Sequence, residues 1–471
     1  MSELARIRSV GVYTPAFRIE SESFADAWGQ FDPPGIESKA VPDADEDALT
    51  MAAAAGRRAL TAAGIDREAI DWLGFATTTP PLAEGALTSR LASMLGVPER
   101  ARTQTFTGST RAGTQALLAG SSFETALVIA ADCPQGAPDE TREHAAGAGA
   151  AAFVLDPDGA AILTDHGEYA TPSPGTRFRR RGSEHVEEID IGSYERRAFT
   201  ETISAAAASV PTAGVTAAAV QAPDGKRPYR ATAALDVASD AIRACATVHA
   251  LGDTGAASVP LSLARALASG DHETVLAASF GSGAGADVLR VEVSDGDGVM
   301  SDCAVTGERT LTYPAYLRRR GAITTSGTDT GAAYVSVPSW ERSLPQRHRL
   351  VAGQCPDCND LTFPPEGACS GCGELVAYEP IELWTTGTVE TVTSIGRGGA
   401  PPEFAEQQAR AGAFGVAIVR FEHGGNTVSL PGQLTAEAAV GETVVPVIRH
   451  IYTQEGVPRY GVKFTPHTAH R

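Results

Sequence analysis

Cys355, Cys358, Cys369 and Cys372 form two Cys-x-x-Cys pairs separated by ten residues. Turn formers sit within or just after the pairs: Asp357, Gly371 and Gly373. Knuckles of this kind let four thiolates converge tetrahedrally on one ion, the chemistry of a zinc site. A set of four Cys ligands leaves no open coordination position, so the predicted Zn2+ organises the fold and does not polarise a substrate. A redox role for either pair calls for a strand-to-helix context, which the following residues do not supply.

The other reactive side chains are scattered. Cys133, Cys245 and Cys303 are widely and unevenly spaced, which in a reducing compartment argues against disulfides. Cys133, Cys245 and His249 read as core or surface residues rather than replacement catalysts; Cys133 follows a strand pattern, so facing a cavity is its other reading, and Tyr194 is a candidate acid/base. The run Gly281-Ser282-Gly283-Ala284-Gly285-Ala286 has the look of a dinucleotide fingerprint. The residues after it, Asp287 to Val291, form a strand pattern instead of the helix whose N-terminus would hold a pyrophosphate.

Alternating elements must position these groups. Ile7 to Tyr13 reads as a strand, Asp47 to Ala63 as a helix stopped by Gly64, Ile70 to Ala76 as a buried strand, Leu87 to Leu95 as a helix, and Ala126 to Ala131 as an apolar strand. This is the pattern of an α/β domain. A repeat is visible within it. The small-residue helix Thr110 to Gly120 leads into Glu124-Thr125-Ala126-Leu127-Val128-Ile129, and Thr254 to Gly270 leads into Glu273-Thr274-Val275-Leu276-Ala277-Ala278, which points to a duplicated fold. After Val293 the pattern breaks. Residues 298–345 read as a connector with one helix-compatible stretch, Tyr313 to Arg320. Strands over Gly387–Ile395, Phe414–Phe421, Thr427–Leu430, Val444–Tyr452 and Tyr460–Phe464, separated by Gly-rich turns, then indicate a small β-barrel.

A formal charge of -19 and only three lysines, Lys39, Lys226 and Lys463, set against 57 acidic residues exclude a general affinity for nucleic acid or anionic membrane. The acidic, lysine-poor composition points to a salt-rich, halophilic type of cytoplasm, and GC-rich coding would produce the same Lys-to-Arg bias. No charged n-region with an apolar run follows Met1, and no long apolar stretch occurs, so a cytoplasmic protein without a membrane span is expected.

Several segments together resemble one family. These are Val10-Gly11-Val12-Tyr13-Thr14-Pro15 with Arg18-Ile19, the acidic entry Pro42 to Asp47, Arg111-Ala112-Gly113-Thr114, Ala222-Pro223-Asp224-Gly225-Lys226 and Phe280-Gly281-Ser282-Gly283-Ala284-Gly285. They are similar to the archaeal type of HMG-CoA synthase, in the thiolase superfamily, over residues 1–320. Residues 345–466, with Phe363-Pro364-Pro365 between the knuckles, resemble the zinc-ribbon plus OB-fold module called DUF35, an acyl-CoA-binding partner of thiolase-fold enzymes. The resemblance implies a duplicated, five-layered α/β/α/β/α fold with halves at 1–165 and 166–297, then the connector 298–345, a zinc ribbon at 346–376 and an OB-fold at 377–471. It also implies a homodimer that binds coenzyme A esters, with no nucleic-acid or membrane partner.

The family reaction is a Claisen-type condensation that uses a Cys nucleophile, a Glu acid/base and an orienting His. Here Ser109-Thr110-Arg111-Ala112-Gly113-Thr114 matches the nucleophile motif, so Thr110 stands at the Cys. Ala76-Thr77-Thr78-Thr79 puts Thr78 at the Glu, and Gln221-Ala222-Pro223-Asp224-Gly225-Lys226 puts Gln221 at the His. A Thr hydroxyl ionises far above neutral pH and needs an adjacent base to act as a nucleophile. The resemblance places Lys226, Arg230, Gly281 and Gly283 at the CoA site, with Arg227 beside them; a solvated basic patch is the other reading of the three cations. Phe178 to Arg181 with His185 lines a pantetheine tunnel or forms a surface loop. The expectation is an acyl-CoA-binding partner of a thiolase; an acyltransferase, or a retro-aldolase of CoA esters that needs no acyl-enzyme, is the alternative.

Overall fold

The computed structural model describes residues 4–189, 191–294, 298–303, 307, 309–323, 335–396 and 400–467. It divides into two compact units, one comprising Met1–Ala92 and Val97–Leu317 and the other Ser93–Gly96 and Arg318–Arg471. No helix among the described residues is long and apolar enough to cross a membrane.

In the large unit, nine strands form one hydrogen-bonded path. They are β1 (Ala5–Tyr13), β2 (Trp72–Ala76), β3 (Arg102–Phe106), β4 (Ala126–Asp132), β5 (Gly149–Leu155), β6 (Ala161–Pro172), β7 (Ala217–Val220), β8 (Thr274–Phe280) and β9 (Ala284–Val293). Their order is β3-β2-β4-β5-β1-β6-β9-β8-β7. The path reads almost the same from either end. In the first half β2 pairs parallel with β4, and β4–β5 and β5–β1 are antiparallel. In the second half β7 pairs parallel with β8, and β8–β9 and β9–β6 are antiparallel. The duplication expected from the repeat is therefore present in strand order and in direction. Only β3 has no counterpart among the described residues.

Helices complete the layers. Helix α1 (Ala48–Ala63) packs on β1 and β5, α2 (Ala112–Gly120) and α4 (Ser258–Ser269) lie centrally, and α3 (Gly192–Ala207) covers β6 and β9. Strand periodicity explains the arrangement, since alternate residues face opposite layers. Val10 and Val12 of β1 join Ala116, Leu117, Leu263 and Leu267 in the central core. Gly11 points the other way, and a Cβ there would lie 2.4 Å from the Ala55 carbonyl oxygen of α1, so only glycine admits this close approach. Helix α1 starts as predicted, in a capping box in which Asp47 accepts from the Thr50 amide at 2.9 Å. It stops at Gly64, at φ 61°.

Two predicted helices begin later than their composition indicates. The first starts at Ala112 because Thr110 is held in a turn by hydrogen bonds to the 280–282 segment. The second is preceded by the short turn Gly255–Ala257, and α4 then accommodates Pro260 in its first turn, where an amide donor is not needed. Part of the predicted connector is also structural. Met300–Asp302 pairs with β1, Arg309–Thr310 pairs with Phe17–Glu20, and Tyr313–Arg319 is a helix that buries Tyr316. Residues 324–334 of that stretch lie outside the described residues.

The second unit begins with the short helices Val337–Arg342 and Leu344–Arg349, followed by a three-stranded sheet of Val351–Gln354, Leu361–Thr362 and Glu379–Glu382, and a further short helix spans Ala405–Ala411. The strands β10 (Gly387–Ile395), β11 (Phe414–His423), β12 (Asn426–Leu434), β13 (Thr443–Gln454) and β14 (Val457–Pro466) close into a barrel in the order β10-β11-β12-β14-β13. All five predicted barrel strands are present, most of them longer than the apolar alternation marks. Tight hairpins account for the difference: Gly424 and Gly425 both have positive φ, and so do Glu455 and Gly456, and these turns let pairing run up to the bend.

Candidate functional site

The four cysteines of the second unit meet as predicted. Their sulfurs all lie within 4.8 Å of one another, with Cys355 and Cys372 3.8 Å apart and Cys358 and Cys369 3.5 Å apart. Thiolates about 2.3 Å from a tetrahedral zinc stand about 3.8 Å from each other, so the donor set fits that ion. Each knuckle is a backbone turn. The Asn359 amide donates to the Cys355 carbonyl at 2.9 Å, and Gly373, at φ 79°, donates to the Cys369 carbonyl at 2.9 Å. Amides of Cys372 and Gly371 pointing at sulfur bring the Cys369 thiol down to about 7, while its neighbours Cys358 and Cys372 are pushed up, as expected of thiols that share protons across a few ångströms.

In the large unit, Thr110 ends the turn before α2 and is 4 % exposed. Its hydroxyl donates to the backbone carbonyl of Phe280 at 2.5 Å, and its amide donates to Ser282 Oγ at 3.2 Å. A carbonyl oxygen cannot take up the proton, so this contact holds the hydroxyl without activating it. The glycine loop after β8 is small because Ser109 and Arg111 pack on it. A Cβ on Gly281 would lie 2.7 Å from Arg111 Cδ, and one on Gly285 2.1 Å from Arg111 Nη1. Arg111 in turn is anchored by Glu168 at 2.6 Å and by the buried Asp287.

Thr78 stands at the end of β2 beside a residue that the sequence reading passed over. Asp132, at the end of β4, is 0 % exposed and accepts six hydrogen bonds. They come from the hydroxyls of Thr77 (3.0 Å), Thr78 (2.6 Å) and Thr79 (2.6 Å) and from the amides of Thr78 (2.8 Å), Thr79 (2.8 Å) and Ala256 (2.7 Å). The Thr78 proton is thus committed to a carboxylate, and the position offers a substrate lone pairs but no base. One cue was present in the sequence: Asp132 is an acid that closes an uninterrupted apolar strand.

Gln221, 3 % exposed, follows β7 and donates from Nε2 to the Gly255 carbonyl at 3.0 Å. The segment 253–257 ties the three positions together. Gly255 lies so near Asp132 that a Cβ would sit 2.1 Å from Oδ2, and Gly113 of α2 leaves room for the Ala256 carbonyl. Among the described residues, three buried polar atoms around this segment have no hydrogen-bond partner: Gln221 Oε1, Thr254 Oγ1 and Arg177 Nη2. Arg177 also donates from Nη1 to Asp253, and Arg179 donates to the Thr78 carbonyl, so the loop 173–189 reaches the site. Within that loop Phe178 pairs with Glu187 and His185 with Gln135.

The remaining candidates, Cys133 excepted, are placed elsewhere. The Tyr194 hydroxyl donates to the Pro174 carbonyl at 3.2 Å, and both ring nitrogens of His249 are engaged, by Tyr229 at 2.9 Å and by the Gly35 carbonyl at 2.5 Å. Burial pushes the thiols of Cys245 and Cys303 up to about 12, which keeps them from acting as thiolates. Cys133 adjoins Thr79, whose hydroxyl oxygen lies 3.7 Å from its sulfur. Of the three basic candidates, Lys226 and Arg230 are exposed, whereas Arg227 is taken up by Glu195 at 2.9 Å.

Relatives share this framework. The hydroxymethylglutaryl-CoA synthase of Methanocella arvoryzae is 30% identical over 343 residues, which cover 68% of this chain and 98% of that protein. The chain belongs to the hydroxymethylglutaryl-CoA synthase family. A second synthase, from Thermococcus gammatolerans, is 33% identical over 301 residues, covering 60% of this chain and 85% of the relative. Among solved structures, an HMG-CoA synthase complexed with CoA superposes with a TM-score of 0.60 at 19% identity, covering 70% of this chain and 94% of that one. The 3-oxoacyl-(acyl carrier protein) synthase III of Pseudomonas aeruginosa gives 0.54 at 20% identity, covering 62% and 98%. These likenesses carry the thiolase-type fold. Residues 342–376 match the family described as ChsH2, rubredoxin-like zinc ribbon domain. The chain is thus a synthase-family unit fused to a zinc ribbon and barrel.

Proposed function

We propose that the synthase-family unit binds an acyl-CoA and does not carry out the family's acyl transfer, acting as a holding or channelling partner of a thiolase. One observation carries this reading: the Thr110 hydroxyl donates to the Phe280 carbonyl, with no base to receive its proton. Thr78 and Gln221, at the other two catalytic positions, supply hydrogen bonds and no titrating group. In this reading Lys226 and Arg230 hold the CoA phosphates, Gly281 and Gly283 form the loop beneath the acyl group, and Gln221 with Thr254 and Arg177 meets its polar end. Cys355, Cys358, Cys369 and Cys372 hold one structural zinc, and the protein works as a cytoplasmic homodimer whose second unit is a DUF35-type module.

The test measures binding and turnover on one preparation of the full chain in high salt. Calorimetry with acetyl-CoA is expected to show saturable binding, and CoA release from acetyl-CoA plus acetoacetyl-CoA is expected to match the no-enzyme control. Release above that control would overturn the reading in favour of a working acyltransferase, and cleavage of a 3-hydroxyacyl-CoA would favour the retro-aldolase.

A further inference from the structure

In the second unit, helix Val337–Arg342 presents Trp340, 7 % exposed, to two arginines. The Arg347 guanidinium carbon lies 4.1 Å from the indole centroid and that of Arg459 4.6 Å. Tyr452 meets the same indole edge-on, with ring centroids 6.2 Å apart. Tyr452 and Arg459 are paired across the β13–β14 hairpin, which fixes them side by side. Stacking on tryptophan holds guanidinium groups in place but does not neutralise them.

Charge balance is what sets this cluster apart. Among the described residues neither Arg347 nor Arg459 has a carboxylate within ion-pair distance, in a chain with 57 acidic residues against 38 basic ones. Burial, opposed by Tyr452 and reinforced by Arg459, pulls the Arg347 guanidinium below its ordinary pKa. Arg347 spends one donor on Ser343 Oγ, 2.7 Å away. Among the described residues, the Tyr452 hydroxyl, on a side chain 8 % exposed, has no hydrogen-bond partner, and neither has Arg459 Nε. Buried polar atoms in folded proteins are nearly always paired, with protein, water or ligand.

We propose that Arg347, Arg459 and the Tyr452 hydroxyl, set on Trp340, form a binding site for a phosphoryl dianion, either free phosphate or the phosphomonoester of a nucleotide-type ligand. Two uncompensated positive charges match the near-double charge and three acceptor oxygens of a phosphate, and the planar N–H forks suit its geometry. A carboxylate would neutralise only one of the two. The site lies wholly within the second unit and is independent of the acyl-CoA reading above.

The experiment titrates inorganic phosphate into the full-length, zinc-loaded protein at constant ionic strength, followed by calorimetry and by tryptophan fluorescence. Saturable binding is expected, weakened roughly 10- to 100-fold in Arg347→Gln and Arg459→Gln, the effect of losing a charge-assisted contact. Zinc content and circular dichroism establish that each variant is folded. Tyr452→Phe, which deletes one oxygen, is expected to weaken binding several-fold and serves if an arginine variant does not fold. Competition distinguishes the sources: displacement of phosphate by CoA but not by dephospho-CoA assigns the 3′-phosphomonoester, and failure of CoA to displace it assigns free phosphate. Absence of saturable phosphate binding, or binding unchanged in all three variants, overturns the proposal.

Discussion

Replacing Asp132 by Asn tests whether its carboxylate is the structural lock of the site. The substitution keeps shape and changes only hydrogen-bond character. Oδ1 accepts from Thr77, from both the amide and the hydroxyl of Thr79, and from the Thr78 amide; an amide oxygen in that place retains all four contacts. Oδ2 accepts from the Thr78 hydroxyl and the Ala256 amide, and an NH2 group cannot do so. The Thr78 hydroxyl can rotate and accept instead. The Ala256 amide cannot, so a buried donor faces a donor, at a cost of about 1–3 kcal/mol. Four bonds to a charged acceptor become neutral ones, each weaker by a fraction of a kcal/mol. The expected loss is about 3–5 kcal/mol, a large share of a typical domain's roughly 5–15 kcal/mol. Urea unfolding of the zinc-loaded protein would be followed at a probe in the large unit, because two units need not unfold together. A loss below about 1 kcal/mol in Asp132→Asn would refute the account of this carboxylate as an acceptor hub.

Four further outcomes are expected. Cys355→Ser should abolish stoichiometric zinc, and a chelator should unfold the ribbon while leaving the large unit's transition in place; zinc analysis with domain-resolved melting checks both. Gly255→Ala should destabilise the large unit by at least about 1–3 kcal/mol, because φ there is +53° and the new Cβ would meet Asp132, and denaturant titration reads this directly. Thr110→Cys should become alkylatable yet show no turnover of acetyl-CoA, while Thr110→Ala should leave acyl-CoA affinity within about twofold, measured by calorimetry. His144 has its pKa lowered from 6.5 by burial and by Lys39, so the folded state favours the neutral ring. Its contribution is therefore complete above about pH 6.5 and is lost as pH falls below that value; melting temperatures of wild type and His144→Phe should converge on acidification.

What could be read in the sequence was what short-range spacing encodes. The cysteine knuckles need only a few residues each, and the barrel strands announce themselves by alternation between glycine turns. The duplicated half was legible because the pairs α2–β4 and α4–β8 carry the same small-residue helix and apolar strand. The groups that decide the chemistry were not local. Asp132 has its meaning only through donors at 77–79 and 256, and Arg177, which precedes the segment singled out at 178–181, has its meaning only through Asp253. The connector misled for a related reason: its polar composition hides Tyr316, whose hydroxyl meets Lys39 at 2.8 Å from the far side of the sequence.

The hydrogen-bonded Thr78 and the unpartnered polar atoms near Gln221 bear on the proposed function from opposite directions. If the proposed acyl site had no ligand, nothing would maintain Gln221 Oε1, Thr254 Oγ1 and Arg177 Nη2 buried and, among the described residues, without partners, since each such atom costs about 1–3 kcal/mol and apolar substitution removes the cost. If the site still performed proton abstraction, Thr78 would not donate its proton to a carboxylate already saturated by five other donors. The proposed function, in which the site binds a polar acyl group without deprotonating it, satisfies both constraints. Filling the site should therefore raise stability in the manner of a ligand specific for the folded state, by RT ln(1 + [L]/Kd). At about 100 times Kd that is about 2.7 kcal/mol, visible as a rise in the melting temperature of the large unit. Gln221→Leu removes the unpartnered Oε1 but also the Nε2 bond to the Gly255 carbonyl, so its stability without ligand should change little while most of the ligand-induced rise is lost; an unchanged rise would place the acyl group elsewhere.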